Sequence, residues 1–220
     1  MRDRFGYEME ALKRLVLELA ADAENAMVRA IHAVTAGDSA EAQSVVSNDS
    51  AIDEMEVEIE EECLKLMALY QPVAGDLRTL ITILKVNGEL ERIADLATNI
   101  ATRAIDMADF DVLPEEKMDF APMVERVHQM LRDALDAFVY HEATVARRTL
   151  LADDAVDALN AANYATAKER LLKHPAHAGY VLDCLTVSHA LERIADIATN
   201  ICEDVIYLEE GQIVRHQKRM

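Results

Sequence analysis

Four pairs of carboxylates are the residues whose types and spacing could do chemistry. Residues four apart lie on one face of a helix, so each pair presents two carboxylates side by side. Where two such helices pack together, four carboxylates converge and supply the hard oxygen ligands that suit Mg, Mn, Ca or iron better than zinc. The pairs, two in each half of the chain, are Asp49 with Asp53, Glu91 with Asp95, Asp153 with Asp157, and Glu192 with Asp196.

The register of these pairs distinguishes them from accidental ones. The chain has 41 acidic residues, and the acids within 54–62 are expected to form only a solvated helix face. The pair formed by Glu91 and Asp95 is different, because it recurs in register in the second half. This recurrence favours a metal site in one half or both. A packing role, in which Arg92 and Arg193 pair with carboxylates inside the bundle, remains the alternative.

The elements that position these pairs are expected to be helices. The 220 residues include only 6 Gly and 4 Pro, so the chain has few places to turn and its elements must be long. Hydrophobic residues make up 51% of the chain, which is enough for a packed core. The 22 basic and 41 acidic residues give a net charge of −19. That charge argues against duplex nucleic acid as a partner, because binding to phosphates requires protein cations.

Neither a membrane span nor an export signal is expected. No run of about 18 apolar residues occurs, and residues 1–10 mix Arg, Asp and Glu without an apolar stretch before a cleavage site. Cys63, Cys184 and Cys202 cannot all pair, and none lies in a CxxC motif. They are therefore expected to be small core residues in a reducing cytoplasm.

Apolar residues recur at helical spacing along almost the whole chain. Between 49 and 70, for example, they advance in steps of three or four, which is one face of a helix. Glycines, prolines and polar clusters interrupt this periodicity. The pattern predicts helices at about 5–36, 39–70, 74–109, 117–139, 143–173 and 177–209.

The two halves of the chain repeat each other. Residues 84–107 and 185–208, offset by 101, share 13 of 24 positions, including polar Glu, Arg, Asp, Thr and Asn. Two unrelated amphipathic helices would not share polar residues in register. We therefore predict an all-α protein made of two three-helix bundles, at 1–112 and 113–220, with a joint at 114–122.

Two sequence strings resemble the PhoU family of phosphate-uptake regulators. The first reads QPVAGDLR at 71–78, and the second reads LERIADLATNI at 90–100 and recurs at 191–201 with one change. The resemblance extends over nearly the whole chain and includes the tandem three-helix halves. The second half departs from it, because HPAHAGY at 174–180 stands where the first string would recur.

The resemblance implies a cytoplasmic, non-enzymatic adaptor between the ATPase of a phosphate ABC transporter and a sensor histidine kinase. Such a protein represses phosphate-starvation genes when phosphate is plentiful, and it commonly forms a homodimer. The resemblance also implies multinuclear metal clusters, most often of iron and in some relatives of Mg or Mn. The implied ligands are Asp49, Asp53, Glu91, Asp95, Asp153, Asp157, Glu192 and Asp196, with Asn99 and Asn200 as weaker candidates.

Two other classes of protein remain open from the residues alone. A ferritin-like carboxylate enzyme would need two Glu-xx-His motifs on facing helices, and the chain has one, at Glu125 and His128. A structural bundle whose acidic faces bind no ion is the other alternative. Neither a phosphate-binding glycine loop nor a nucleophile motif is present, so no catalytic residue is predicted.

Overall fold

The computed structural model describes residues 2–111 and 117–214, and these residues contain helices and no strand. The all-α prediction is therefore confirmed. No described helix is both long enough and apolar enough to cross a membrane. The helices are α1 (Arg2–Ala36), α2 (Ser39–Tyr70), α3 (Ala74–Met107), α4 (Ala121–Tyr140), α5 (Ala143–Leu150), α6 (Asp153–Lys173) and α7 (Ala178–Glu210), with a 3₁₀ turn at Pro175–His177.

The helix predicted at 143–173 is wrong as a single element. The chain leaves helical geometry after α5, where the N–H groups of Leu151 and Ala152 bond back three residues, to the carbonyls of Arg148 and Thr149. Asp153 then begins α6, and acids in a first turn interact favourably with the helix dipole. The break places Asp153 at the start of α6 rather than in the middle of a helix. The predicted domain boundary at 112/113 lies outside the described residues.

The turn from α1 to α2 follows directly from local sequence. Gly37 has a φ of +71°, a conformation that glycine adopts at low cost. Asp38 caps α2, and its Oδ1 accepts hydrogen bonds from the N–H groups of Ala40 and Glu41 at 3.0 and 2.9 Å. A cap of this kind satisfies backbone donors that have no partner within the helix. The two helices are thereby held antiparallel.

Helices α3 and α7 form the centre of the molecule. α3 packs against α1 and α2, α7 packs against α4, α5 and α6, and the two central helices pack against each other. Contacts at both ends of the pair show that they run antiparallel, since Lys85 meets Asp204 and Arg103 meets Asp183. Buried alanines on both helices allow a close approach of their axes.

The three cysteines are buried and unpaired, as predicted. Burial raises the pKa of the thiol to about 12 for Cys63, about 11 for Cys184 and about 12 for Cys202. Thiols with such pKa values remain protonated at neutral pH, and a protonated thiol neither ligates metal nor attacks as a nucleophile. All three therefore serve packing.

Candidate functional site

The first half brings its two predicted carboxylate pairs together on adjacent helices. α2 carries Asp49 and Asp53, and α3 carries Glu91 and Asp95. Desolvation, followed by the negative charges of Asp49 and Asp95, raises the pKa of Asp53. Burial, followed by the charges of Asp95 and Asp53, raises the pKa of Glu91. The charges that act on Asp53 and Glu91 show that the four carboxylates lie near one another.

Hydrogen bonds between α2 and α3 hold the first cluster in register. The hydroxyl of Thr98 donates to Oδ1 of Asp49 at 2.9 Å. Further along the helix pair, the amide of Asn87 donates to the backbone carbonyl of Glu56 at 2.9 Å and to its Oε1 at 3.0 Å. Asn87 is almost fully buried, so these bonds fix how far one helix can slide along the other.

The second half contains a matching cluster on α6 and α7. Burial, followed by the charges of Glu192, Asp153 and Asp157, raises the pKa of Asp196, and the charge of Arg193 acts in the opposite direction. Asp153 is itself buried, at 7% exposure. All four predicted residues of this half therefore share one electrostatic environment.

A polar contact between α6 and α7 repeats the one between α2 and α3. The buried hydroxyl of Ser188 donates to Oδ1 of Asn160 at 2.8 Å, and the amide of Asn163 donates to the Ser188 hydroxyl at 2.9 Å. Ser188 follows Asn87 by 101 residues, the offset of the repeat. Sequence reasoning missed this pair, although the register of the repeat contains the signal.

One oxygen in the second cluster lacks a hydrogen bond. Oε2 of Glu192 is shielded from solvent and has no hydrogen-bond partner. Nδ1 of His189 lies 3.1 Å away, but the contact does not have hydrogen-bond geometry. A buried carboxylate oxygen without a donor is destabilising unless a cation or a proton compensates it. In its donor chemistry, this site therefore fits a hard cation.

The carboxylates do not converge on a single point. Within residues 2–111 and 117–214, no group of three or more His, Cys, Asp or Glu side chains is arranged to hold one metal ion. Asp53, Asp95, Asp157 and Asp196 are exposed at the helix surface, so their side chains have room to rotate. The two clusters contain the right ligand types for a metal site, but their side-chain rotamers do not place the oxygens around one point. The metal site remains a prediction.

Asn200 and Arg92 both contact Glu89 rather than a predicted carboxylate. The amide of Asn200 donates to Oε1 of Glu89 on α3 at 3.3 Å, which places this asparagine in the contact between α3 and α7. Asn99 is exposed. Arg92 lies 3.4 Å from the other oxygen of Glu89, three residues earlier on the same helix. Arg193, the other arginine of the packing alternative, acts on the predicted carboxylate Asp196.

The Glu-xx-His motif on α4 contacts a helix of the other half. Nε2 of His128 lies 2.8 Å from Oε1 of Glu24, and Nε of Arg132 lies 2.7 Å from the same oxygen. These contacts join α4 to α1. His128 therefore takes part in a polar contact between the halves rather than in a di-iron motif.

Comparison with known proteins matches the chain along nearly its full length. The family model described as PhoU domain matches it twice, at 16–104 and 120–205. Curated relatives named phosphate-specific transport system accessory protein PhoU homolog include one from Pseudomonas putida, 37% identical over 99% of this chain and 86% of the relative. Another, from Aquifex aeolicus, is 36% identical over 96% of this chain and 95% of the relative.

Solved structures agree with the sequence comparison. The crystal structure of PhoU from Pseudomonas aeruginosa superposes with a TM-score of 0.90 at 34% identity, covering 94% of this chain and 100% of that chain. The phosphate transport system regulatory protein PhoU from Streptococcus pneumoniae gives a TM-score of 0.84 at 29% identity, covering 96% and 99%. The resemblance inferred from the two sequence strings is thereby confirmed.

Proposed function

Because this chain belongs to the PhoU family, we propose that it is a negative regulator of phosphate uptake and of the phosphate-starvation response. The observation that carries the proposal is its similarity, over nearly its whole length, to proteins named accessory proteins of phosphate-specific transport. The regulator works in the cytoplasm by binding other proteins and not by catalytic turnover. It influences transcription only indirectly, through those partners.

The proposed mechanism is that of an adaptor between two different proteins, the ATPase of a phosphate ABC transporter and a sensor histidine kinase. The internal repeat supports this role, because it provides two similar bundles whose ends differ. The first half turns through Gln71 and Ala74, both with positive φ, whereas the second half turns through the 3₁₀ segment Pro175–His177. Similar halves with different turns can present different surfaces to different partners. The adaptor is proposed to act as a homodimer.

The two acidic clusters are proposed to hold metal ions, most readily iron, with Mg, Mn or Ca as alternatives. The shielded Glu192 oxygen that lacks a hydrogen bond and the raised pKa values of Asp53, Glu91 and Asp196 support this assignment. A bound cation would cancel the repulsion among four carboxylates and stiffen the helix pair that carries them. The residues that would hold it are Asp49, Asp53, Glu91 and Asp95 in one half, and Asp153, Asp157, Glu192 and Asp196 in the other.

Binding to purified components tests the adaptor role. The intact chain is immobilised, and the transporter ATPase subunit and the cytoplasmic region of the kinase from the same organism are passed over it, singly and together. We expect each to bind alone and both to bind at once. Failure of both components to bind would contradict the adaptor proposal. Mutually exclusive binding would contradict the bridging geometry.

A further inference from the structure

Several of the exposed apolar side chains lie at one end of the bundle. At this end α1 begins, α2 turns into α3, α4 turns into α5, and α7 ends. We call it the Pro72 end. Val73 is 74% exposed and Tyr140 is 68% exposed, and large apolar groups in such numbers mark an interaction surface. The large apolar residues exposed here are Tyr7, Leu69, Val73, Val139, Tyr140 and Ile213.

Backbone strain is confined to the same end. Three non-glycine residues in the described part of the chain have positive φ, namely Gln71 at +47°, Ala74 at +51° and His141 at +59°. Each costs about 1–2 kcal/mol relative to right-handed geometry. Gln71 and His141 are the C-caps of α2 and α4, where a left-handed residue is common, so Ala74 is the position that helix capping does not explain. Gln71 and Ala74 flank the exposed Val73 and fix its position.

A cleft of about 310 Å³ opens at the Pro72 end between α1, α3, α4 and α7. Its apolar walls come from Leu17, Ile83, Phe138 and Leu208. The volume is at the lower limit of small-ligand sites and is large enough for one bulky side chain. The polar residues that line the cleft are Glu10, Lys13, Arg14, Thr79 and His141.

One cation beside the cleft remains available to a partner. Nζ of Lys13 lies 2.9 Å from Oε1 of Glu10, and Nδ1 of His141 lies 2.7 Å from Oε1 of Glu209. Arg14, in contrast, makes no ion pair within 4 Å among residues 2–111 and 117–214. Its positive charge nevertheless helps to lower the pKa of Glu10. A carboxylate on a partner would complete this set of charges.

We propose that the cleft at the Pro72 end is the docking site for a protein component of the phosphate transport system. The partner segment inserts one large apolar or aromatic side chain between Leu17 and Phe138 and places a carboxylate against Arg14. This inference rests on the proposed function, because it assigns one of the adaptor's partners to a surface. An apolar centre surrounded by polar and charged groups is the usual anatomy of a protein interface.

The charges around the cleft favour a protein over a lipid surface. An anionic membrane attracts clusters of lysine and arginine, whereas here Glu10 lines the cleft beside Lys13 and Arg14, and Glu209 contacts the lining residue His141. Carboxylates at the rim would face lipid phosphates and repel them. A recess with charges of both signs instead selects a partner with matching charges and one apolar anchor.

Variants on both ends of the bundle test the assignment in the binding assay with the purified ATPase subunit and kinase region. Arg14→Glu reverses the available charge, and Val139→Asp places a charge beside the cleft. Lys168→Glu and Leu182→Asp make the matched changes at exposed positions on α6 and α7, outside the cleft. Each variant is used only if its melting temperature matches that of the unaltered chain.

We expect both cleft variants to weaken binding of the transporter ATPase subunit at least tenfold and the matched variants to leave it within twofold. If the ATPase subunit binds the unaltered chain and the cleft variants equally well, the docking site is wrong and the adaptor role stands. If the unaltered chain binds neither component, the proposed function itself fails. Sedimentation with phosphatidylglycerol–phosphatidylethanolamine vesicles that is abolished by Arg14→Glu would assign the cleft to lipid and overturn the inference.

Discussion

Nζ of Lys85 lies 2.8 Å from Oδ1 of Asp204, so an ion pair joins the central helix of the first half to that of the second. The Asp204 side chain is only 2% exposed, and Lys85 is partly exposed and lies 5.2 Å from the ring centroid of Tyr207. A buried carboxylate that loses its counter-charge is strongly destabilising. This contact therefore couples the two halves in folding.

We expect Lys85→Met to lower the free energy of unfolding by about 2 kcal/mol, because it removes an ion pair from a carboxylate that is only 2% exposed. Lys65→Met is the matched control, since Lys65 makes an exposed pair with Glu62 and should cost less than about 1 kcal/mol. Urea denaturation at pH 7 measures both. If the two variants lose equal stability, the Lys85–Asp204 pair contributes no more to stability than an exposed ion pair does.

The contact of Glu24 with Arg132 and His128 predicts a pH dependence. Burial acts to raise the pKa of Glu24, but hydrogen bonds from Arg132 and His128 outweigh it and lower that pKa below its ordinary 4.5. The stability from this carboxylate is therefore fully present above pH 4.5 and is lost as the pH falls through the lowered value. We expect Glu24→Gln to cost about 1 kcal/mol at pH 7.

The difference between the unaltered chain and Glu24→Gln should shrink below pH 4.5, and urea denaturation at a series of pH values measures it. Glu18→Gln, at an exposed position on the same helix, is the control and should change stability little at any pH. A Glu24→Gln deficit that stays constant down to pH 3.5 would contradict the assigned direction.

The buried hydroxyl of Ser188 connects α6 to α7 through Asn160 and Asn163. Ser188→Ala would leave both amides without this partner, and we expect a loss of about 1–3 kcal/mol. Thr186→Ala removes an exposed hydroxyl that bonds only within its own helix, and it should change stability by less than about 0.5 kcal/mol. Thermal melts of the two variants measure the difference. Indistinguishable melts would mean that the polar contact does not hold the second cluster together.

If the clusters bind metal, one double substitution should have opposite effects on stability with and without metal. In the presence of chelator, Asp95→Asn with Asp196→Asn should raise stability slightly, because it removes like charges from both clusters. Metal at about 100 times its Kd should stabilise the unaltered chain by about 2.7 kcal/mol and the double variant by much less.

Melting with Fe²⁺, Mn²⁺ or chelator, together with elemental analysis of protein purified without added metal, measures these effects. Glu58→Gln with Glu61→Gln, on exposed positions of α2 outside the clusters, is the control and should respond as the unaltered chain does. If the Asp95→Asn, Asp196→Asn variant keeps its metal and its metal-dependent stabilisation, the ligand assignment is wrong.

Residues that the two halves share could be predicted, whereas contacts between the halves could not. Glu91 and Asp95 recur as Glu192 and Asp196, and the structure groups each pair with the acids of the neighbouring helix. The ion pairs between the halves use positions that the repeat does not share. Lys85 aligns with Thr186, for example, so comparing the halves gave no signal for it.

Local backbone conformations that no residue type indicates could not be predicted either. The break between α5 and α6 passes through Leu151 and Ala152, which are both good helix formers. Gln71 and Ala74 adopt positive φ next to Gly75, which would adopt it at lower cost. Periodicity alone reports none of these local conformations.

Phosphatase expression at high phosphate tests the central claim most directly. In a strain that lacks this protein, the phosphate-starvation response is scored by alkaline phosphatase activity, with and without the intact chain supplied from a plasmid. A negative regulator predicts high phosphatase activity in the deletion strain and full repression when the chain is restored. Unchanged repression in the deletion strain would contradict the account.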